Sequence, residues 1–359
     1  MSQNETSQNQ KPQDEFSLIR DYFLRSLDAD RSTEKHAGGN TPGVVLGIGD
    51  DCAVLRPSEH EDLVVTTDTL VEGAHFPAGS RGADIAQRAL RVNASDIAAM
   101  GAEPRCFQLA LTLPEADTEW LQSFSAGLHA AADEFSCVLT GGDTTRGPLV
   151  ITITMFGAVA RGGALTRSGA SVGDKVFVSG SLGRGAAGLS VVQSSSQHAS
   201  SQYRSTQYTS TGLSAEEEMK DFFWCPEPRV QLGQHLRHIA SAMIDISDGL
   251  VADLGHIAQA SDVAAVIHRQ RLPLPEVAVK HFGDEQMREW ALSGGDDYEL
   301  CFTVSPEKLG QLAALQAEDG AGGLPQITEI GELVPGTGVQ CLDAAGNSVT
   351  LERSGYAHF

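Results

Sequence analysis

Six short acidic motifs are spread from end to end of this chain, each with aspartate beside Gly, Ser or Thr. They are Ile-Gly-Asp-Asp at 48–51, Thr-Thr-Asp-Thr at 66–69, Asn-Ala-Ser-Asp at 93–96, Gly-Gly-Asp-Thr-Thr at 141–145, Asp-Ile-Ser-Asp-Gly at 245–249 and Gly-Gly-Asp-Asp-Tyr-Glu-Leu at 294–300. One such motif is usually a turn at the end of a strand or helix, but six indicate a shared site. Mg²⁺ takes oxygen ligands and links protein carboxylates to substrate phosphates. The motifs therefore predict a site for hard cations and a phosphate-bearing ligand.

Some of these acids also have a plain structural explanation. Asp143 fits a β-turn, and Asp248 fits the N-cap of a helix that starts after Gly249. Asp245 and Asp248 are three residues apart, so a turn entering that helix brings them to one side, where Ser247 can cap the helix. Dense carboxylates repel one another unless cations lie between them. Two or more Mg²⁺ with a phosphate-bearing ligand explain the whole set better than six independent turns.

The composition limits the possible partners and compartment. The chain has 359 residues with 25 basic and 47 acidic side chains, a net charge of −22, which argues against non-specific binding to nucleic acid or anionic membranes. It has no apolar run of membrane-spanning length, and its polar N-terminus lacks the apolar core of a secretory signal. None of the six cysteines forms a C-x-x-C pair. We expect a cytoplasmic protein without disulfides or a zinc site.

The spacing of apolar residues predicts two α/β halves. Predicted strands cover 44–48, 63–67, 106–113, 149–160, 176–180, 242–247 and 299–304, and predicted helices cover 16–27, 82–100, 116–135, 183–192, 229–240, 250–260 and 306–315. Strands alternate with helices throughout, which is typical of α/β or α+β layers. We predict a disordered tail (1–14), an N-terminal domain (15–161) and a C-terminal domain (162–359), with a low-complexity Ser/Gln/Thr surface insert at 193–220.

Common nucleotide-binding signatures do not explain the acidic motifs. The chain has no G-x-x-x-x-G-K-[ST] sequence, which argues against a P-loop. One G-x-G-x-x-G runs from Gly183 to Gly188, but the acid expected about 20 residues later in a dinucleotide site is missing. Glycines at a tight strand–helix turn explain it better. The backbone N–H groups at 141–142 and 294–295 are alternative hydrogen-bond donors to a phosphate group. His75 follows the acidic strand by one short loop, and a structural and a functional role both stay open.

Taken together, the motifs resemble a known family. IGDDCAVL, TTDTLVEGAHF, NASDIAAMGAEP, GGDTTRG, LTRSGASVGD, IDISDGLVADLGHI, SGGDDYELCFTV and the terminal GYAHF closely resemble the thiamine-monophosphate kinases and follow that family's order. The resemblance covers nearly the whole chain outside the N-terminal tail and the insert. It implies the two-domain fold of the PurM-like superfamily, which also contains the aminoimidazole-ribonucleotide and selenophosphate synthetases.

The resemblance implies an activity and a set of site residues. The activity is ATP-dependent phosphorylation of thiamine monophosphate, with several Mg²⁺ per site and a homodimer formed through the sheet of the N-terminal domain. The implied metal ligands are Asp51, Thr66, Thr67, Asp68, Asp96, Asp143, Asp245 and Asp248. The implied ATP contacts are Gly142, Asp143, Arg167 and Ser247. The implied thiamine-phosphate contacts are His75 and Asp296, with Arg353 or Tyr356 closing the pocket.

Two departures and two rival functions accompany this interpretation. Asp296 stands where many relatives have the longer Glu, and Arg353 stands where some have an aromatic residue. Selenophosphate synthetase usually needs a Cys or Sec near its N-terminus, and residues 1–47 contain no Cys. The other rival is a module that binds ATP and Mg²⁺ without turnover.

An acceptor that is already an anionic phosphate needs no strong general base, and direct in-line transfer follows as the expected mechanism.

Overall fold

Two β-sheets, one in each half of the chain, form the framework. A computed structural model describes residues 18–24, 41–48, 51–196, 214–318, 323–349 and 355. Their strands are β1 (Val44–Leu46), β2 (Val54–Leu55), β3 (Glu61–Val71), β4 (Glu103–Leu113), β5 (Val138–Arg146), β6 (Val150–Ala160), β7 (Lys175–Ser179), β8 (Ala242–Asp245), β9 (Ala264–His268), β10 (Leu300–Val304), β11 (Ile327–Val334) and β12 (Gly338–Leu342). Their α-helices are α1 (Gly82–Ala99), α2 (Thr118–Glu134), α3 (Arg184–Ser196), α4 (Ala215–Trp224), α5 (Val230–Leu236), α6 (Leu250–Ala260), α7 (Glu276–Phe282), α8 (Asp284–Ser293) and α9 (Leu309–Glu318).

The first large sheet has the order β3-β6-β4-β5. Strand β6 is antiparallel to β3 and to β4, whereas β4 and β5 are parallel and are joined by α2, the crossover that a parallel pair requires. Asp117 begins α2 by accepting hydrogen bonds from the backbone N–H groups of Glu119 and Trp120. Strands β1 and β2 form a separate two-stranded antiparallel sheet.

Helices α1 and α2 cover one face of this sheet, and glycines let them approach each other closely. A Cβ on Gly82 would lie 2.6 Å from the Trp120 carbonyl oxygen, and one on Gly127 would lie 2.5 Å from that of Ala83. The opposite face of the sheet lacks a helix among the described residues, and it leaves Leu63 and Val65 42% and 54% exposed. Strand alternation therefore sends even-numbered residues of β3 toward the helices and odd-numbered ones to the open face.

The second sheet has the order β12-β9-β11-β7-β10-β8 and is antiparallel except for the β9–β12 pair. Helices cover both faces, so β10 is buried along its whole length. Alternate β10 residues enter different cores: Cys301 packs with Leu254 of α6, whereas Phe302 packs with Leu232 of α5 and Leu312 of α9. A continuous apolar run is the pattern expected for a strand covered on two sides.

The two halves meet along α1. Its C-terminal part packs against α5, where a Cβ on Gly233 would lie 2.1 Å from the Ala98 carbonyl oxygen. Its polar residue Ser95 reaches β8, where its hydroxyl donates to Asp245 Oδ2 at 2.7 Å. The helix of the first sheet therefore forms part of the wall between the two sheets.

Several sequence predictions need correction at their ends. The predicted insert at 193–220 is too long, because residues 193–196 complete α3 and Ser214 caps α4 with a capping box closed by Glu217. Met219 of α4 is fully buried. Residues 197–213 lie outside the described part of the chain, as does the predicted tail at 1–14. The predicted helix at 229–240 ends at Leu236. In the described ranges, no helix is long and apolar enough to cross a membrane.

Candidate active site

A polar cavity of about 590 Å³ lies between the two sheets. Helix α1 contributes Arg88, Val92 and Asp96 to its wall, at the i, i+4, i+8 spacing that puts residues on one helix face. The other lining residues are Asp68, Thr69, Leu70, Gly73, Ala74, His75, Phe76, Pro77, Leu189, Gln193, Phe223, Asp245, Ser247, Asp248, Gly294, Asp296 and Tyr298. Residues from four of the six acidic motifs thus meet in one place.

The centre of this cavity is an acidic cluster of Asp68, Asp96 and Asp245. Thr66 lies on the same face of β3 as Asp68, and its hydroxyl donates to Asp96 Oδ2 at 2.5 Å. The Asp68 backbone N–H donates to Asn93 Oδ1 at 3.2 Å. These hydrogen bonds and the one from Ser95 hold the cluster to α1.

The three carboxylates are electrostatically unsatisfied. Burial, together with the negative charge of Asp96, raises the pKa of Asp68 to about 7 and that of Asp245 to about 8. Burial also raises the pKa of Asp96, while the Thr66 hydrogen bond and the positive charge of Arg167 oppose the rise. Additional positive charge in the cavity would therefore favour the ionised form of all three acids.

The Asp245–Gly249 turn is held by a residue that the sequence analysis did not single out. Asp253 Oδ2 accepts from the backbone N–H groups of Ser247, Asp248 and Gly249 at 3.0, 3.1 and 3.1 Å. Gly249, with φ +119°, is the N-cap of α6 and makes no side-chain cap bond. The predictions that Ser247 or Asp248 caps this helix are therefore wrong, and the Asp248 side chain instead lines the cavity.

The three acids of the Gly-Gly-Asp-Asp-Tyr-Glu motif have three different environments. Asp296 lines the cavity and receives a hydrogen bond from the Arg88 Nη2 at 2.7 Å. Asp297 is buried and accepts from the backbone N–H groups of Gly183 and Gly185. Glu299 pairs with the guanidinium of Arg229 through both of its oxygens. Only the first of the three faces the cavity.

His75 has a defined hydrogen-bonding direction. Its Nδ1 accepts from the Val71 backbone N–H at 3.1 Å, so Nε2 carries the ring proton in this arrangement. Since His75 lines the cavity, its imidazole can donate to an anionic group there.

Known proteins with similar sequences decide the family. Two family models match the chain: AIR synthase related protein, N-terminal domain, at residues 49–159, and its C-terminal domain at residues 171–343. Thiamine-monophosphate kinase of Escherichia coli (strain K12) is 45% identical over 345 residues, which are 96% of this chain and 98% of that protein. The chain belongs to the thiamine-monophosphate kinase family.

Solved structures of thiamine-monophosphate kinases share the fold. The enzyme of Stenotrophomonas maltophilia K279a is 43% identical, with a TM-score of 0.75 over 86% of this chain and 92% of that chain. AaThiL complexed with AMPPCP and TMP is 32% identical, with a TM-score of 0.70 over 87% of this chain and 92% of that chain. The predicted two-domain PurM-like fold is confirmed by these matches.

The structure brings seven of the fifteen predicted site residues to the wall of the cavity. Residues predicted for the site that line the cavity are Asp68, His75, Asp96, Asp245, Ser247, Asp248 and Asp296. Thr67 was predicted as a metal ligand with Thr66, but its hydroxyl pairs with Thr154 Oγ1 at 2.9 Å on the open face of the sheet. Asp51 lies in an exposed bend and does not line the cavity.

Gly142 and Asp143 are also separated from the acidic cluster. They lie within β5 rather than in a turn, so the β-turn interpretation of Asp143 is wrong. Strands β6 and β4 lie between β5 and β3, which at about 4.8 Å per strand is a separation of about 14 Å. Asp143 is exposed in this chain. Their predicted contacts with ATP and metal remain predictions.

Arg353 and Tyr356 lie outside the described residues, but Gly355 between them is described. A Cβ on Gly355 would lie 2.9 Å from the Asp248 carbonyl oxygen and 2.6 Å from Ala252 Cβ. Gly355 therefore lies against the start of α6, next to an acid of the cavity.

The glycines of the G-x-G-x-x-G sequence serve close packing, as predicted for a strand–helix turn. Gly183 has φ +81°. A Cβ on Gly185 would lie 2.3 Å from the Asp296 carbonyl oxygen, and one on Gly188 would lie 2.5 Å from that of Met219. Of the residues that sequence reasoning missed, Arg88 had a usable signal, since the i, i+8 spacing puts it on the same helix face as Asp96.

Proposed function

We propose that this chain transfers the γ-phosphoryl group of ATP to thiamine monophosphate and so forms thiamine diphosphate. The observation that carries the proposal is a single cavity lined by the acidic cluster and also by His75 and Asp296, in a member of this family. Such a cavity suits a reaction that brings two polyanions together.

The donor set of the cavity fits Mg²⁺. Burial and the nearby charge of Asp96 raise the pKa values of Asp68 and Asp245, and divalent cations would offset both effects by stabilising the ionised carboxylates. No three acidic, His or Cys side chains of the described residues converge closely enough to hold a metal by themselves. Mg²⁺ is usually held by one or two carboxylates together with substrate phosphates and water, so this arrangement is compatible with several ions per site.

We assign Asp68, Asp96, Asp245 and Asp248 as the ligands within the cavity. Asp51, Thr66, Thr67 and Asp143 complete the set that the family resemblance implies. When bound, Mg²⁺ neutralises phosphate charge and favours displacement at phosphorus.

The chain's own side chains position the reactants. Thr66 and Ser95 hold the carboxylates of Asp96 and Asp245 by hydrogen bonds. Asp253 closes the turn that presents Asp248. His75 would donate its Nε2–H to the acceptor phosphate. Gly142, Asp143, Arg167 and Ser247 would contact ATP, and Arg167 already places positive charge near Asp96.

Transfer is direct and in line in this proposal. The acceptor oxygen belongs to a phosphate monoester and is itself a competent nucleophile, so a phosphoenzyme would add a step without removing a difficulty. A chiral γ-phosphorothioate should give inversion at phosphorus. Retention, or ATP–ADP exchange in the absence of thiamine monophosphate, would assign a covalent intermediate instead.

A homodimer through the first sheet is part of the proposal. The open face of this sheet carries the exposed apolar side chains Leu63 and Val65 beside the threonine pairs Thr67–Thr154 and Thr69–Thr152. A second copy would cover this face. Val65→Glu should convert the dimer to a monomer in sedimentation, and a wild-type oligomeric state in that variant would place the interface elsewhere.

One assay decides the central proposal. ADP formation from ATP should require both Mg²⁺ and thiamine monophosphate, and unphosphorylated thiamine should not replace the acceptor. Equal turnover with thiamine would overturn the assignment of the acceptor. Binding of ATP and Mg²⁺ without turnover would support a non-catalytic module.

A further inference from the structure

Arg88 connects the two halves of the molecule at the wall of the cavity. It lies on α1, its side chain is only 3% exposed, and its Nη2 donates to Asp296 Oδ1 at 2.7 Å across 208 positions of sequence. Its Nη1 donates to the Phe223 carbonyl oxygen at 2.9 Å, and its guanidinium lies 4.1 Å from the centre of the Phe223 ring. The arginine is therefore held from two sides.

These contacts orient the Asp296 carboxylate. The Tyr298 hydroxyl also donates to Asp296 Oδ1, at 3.0 Å, so both donors use the same oxygen. The other oxygen, Oδ2, has no hydrogen-bond partner among the described residues, although Asp296 lines the cavity. One oxygen is fixed by the protein and the other is left for a ligand.

The backbone around Asp296 is held in an unfavourable conformation. Asp296 and Tyr298 have φ values of +61° and +52°, the left-handed region that residues other than glycine seldom adopt and that a bulky residue such as Tyr298 adopts least readily. The Asp296 N–H donates to the Ser247 carbonyl oxygen and the Tyr298 N–H donates to that of Ile246, both at 2.8 Å. Strain that the surrounding structure enforces is concentrated at functional sites.

Stability alone is a poor explanation of this pair. The Arg88 Nε is buried without a hydrogen-bond partner, which is costly for a charged group. Buried arginine–carboxylate pairs often stabilise a fold no better than apolar residues of the same size. A defined direction for Asp296 is what this arrangement provides.

We propose that Arg88 is a positioning residue for the acceptor, which holds Asp296 so that its Oδ2 faces the cavity and receives a hydrogen bond from the thiamine moiety. The inference rests on the proposed function. Arg88 also neutralises the carboxylate, so Asp296 can accept a hydrogen bond without repelling the phosphate of the acceptor.

The test is a double-mutant cycle on steady-state kinetics. Arg88→Met should raise the KM for thiamine monophosphate about 10- to 100-fold, the usual loss for a charge-assisted hydrogen bond, and leave the KM for ATP within about twofold. If Arg88 acts through Asp296, the double variant Arg88→Met/Asp296→Asn should be no worse than either single variant, because coupled residues are not additive. Arg88→Lys should restore part of the loss, since it keeps the charge but loses the two-pronged geometry.

Arg91 supplies a matched control on the same helix. Its guanidinium also bonds a backbone carbonyl, that of Pro226, and pairs with the carboxylate of Glu134, but it does not line the cavity. Arg91→Met should leave the KM for thiamine monophosphate unchanged even where it lowers the melting temperature. If Arg88→Met fails to fold, Tyr298→Phe removes the other donor to Oδ1 and should raise the same KM.

Two kinds of failure are distinguishable. A wild-type KM for thiamine monophosphate in Arg88→Met, or additive effects in the cycle, would overturn the role of Arg88 alone. A wild-type enzyme that neither binds thiamine monophosphate in calorimetry nor turns it over would overturn the proposed function, and this inference with it.

Discussion

Gly185→Ala tests how tightly the Asp296 loop is positioned. Gly185 is the second residue of α3, and a Cβ there would lie 2.3 Å from the Asp296 carbonyl oxygen and 2.5 Å from its Cβ. Ordinary contacts of a Cβ begin near 3.4 Å, so the added methyl group must displace the loop by about 1 Å. The displaced group is backbone, which cannot rotate away.

The expected effect on catalysis is large compared with the effect on stability. Overpacking of this kind costs about 1–3 kcal/mol, partly offset by the roughly 0.5–1 kcal/mol that alanine gains over glycine in a helix. A misplacement of about 1 Å in a site can lower the rate about 10²-fold. We therefore expect kcat/KM for thiamine monophosphate to fall about 10- to 100-fold, while the melting temperature falls by only a few degrees.

Gly310→Ala is the matched control, because Gly310 is also the second residue of a helix, α9, and its added Cβ meets nothing within 4 Å. It should keep wild-type kinetics and raise stability by about 0.5–1 kcal/mol. Kinetics and thermal unfolding of both variants check the reasoning. A folded Gly185→Ala enzyme with wild-type kcat/KM would show that the position of the Asp296 loop does not affect the use of thiamine monophosphate as the acceptor.

Three further predictions concern the half-buried Asp68 and the buried Asp253 and Asp297. Asp68→Asn should lower kcat at least ~10²-fold with the fold intact, because it removes a charge from the proposed cation site; near-normal, Mg²⁺-dependent turnover would contradict this role. Asp253→Ala should lower the free energy of unfolding in urea by about 2–4 kcal/mol, since three backbone N–H groups lose their acceptor, and an unchanged value would refute it. Burial raises the pKa of Asp297 to about 7, against the opposing hydrogen bonds from Gly183 and Gly185, so the folded state binds its proton more tightly than the unfolded state. The stability that this proton contributes is complete below about pH 4 and is lost as the pH rises through 7. Asp297→Asn should therefore flatten the fall in the free energy of unfolding between these pH values. An unchanged slope would refute the raised pKa of Asp297.

Local patterns predicted most of the secondary structure. The helix at Gly82–Ala99 and the strand at Val150–Ala160 lie within one residue of their predicted ends, since in each the spacing of apolar residues is regular over the whole element. The region around 193–220 was predicted less well, because its polar composition obscured the capping box that starts α4 at Ser214. Apolar residues of α4 such as Met219 become interpretable only when the helices that bury them are known.

The same contrast applies to the site. The acidic motifs predicted a site for cations and phosphate, because carboxylate number and type can be read from the chain itself. The resemblance of the motifs and of their order to a known family predicted the kinase activity. Asp96 lies inside the helix that was predicted at 82–100, whereas Asp68, just beyond the strand predicted at 63–67, lies inside β3.

Sequence alone determined which residue types the candidate site contains, and tertiary structure decided which of them meet in the cavity. Side chains alternate between the two faces of a strand, so the covered face of β3 presents Thr66 and Asp68 to the cavity while Thr67 faces the other way. Which face is covered depends on helices elsewhere in the chain. The pairing of Arg88 with Asp296 depends on the packing of α1 against the second sheet, and no local pattern records a contact between residues 208 positions apart.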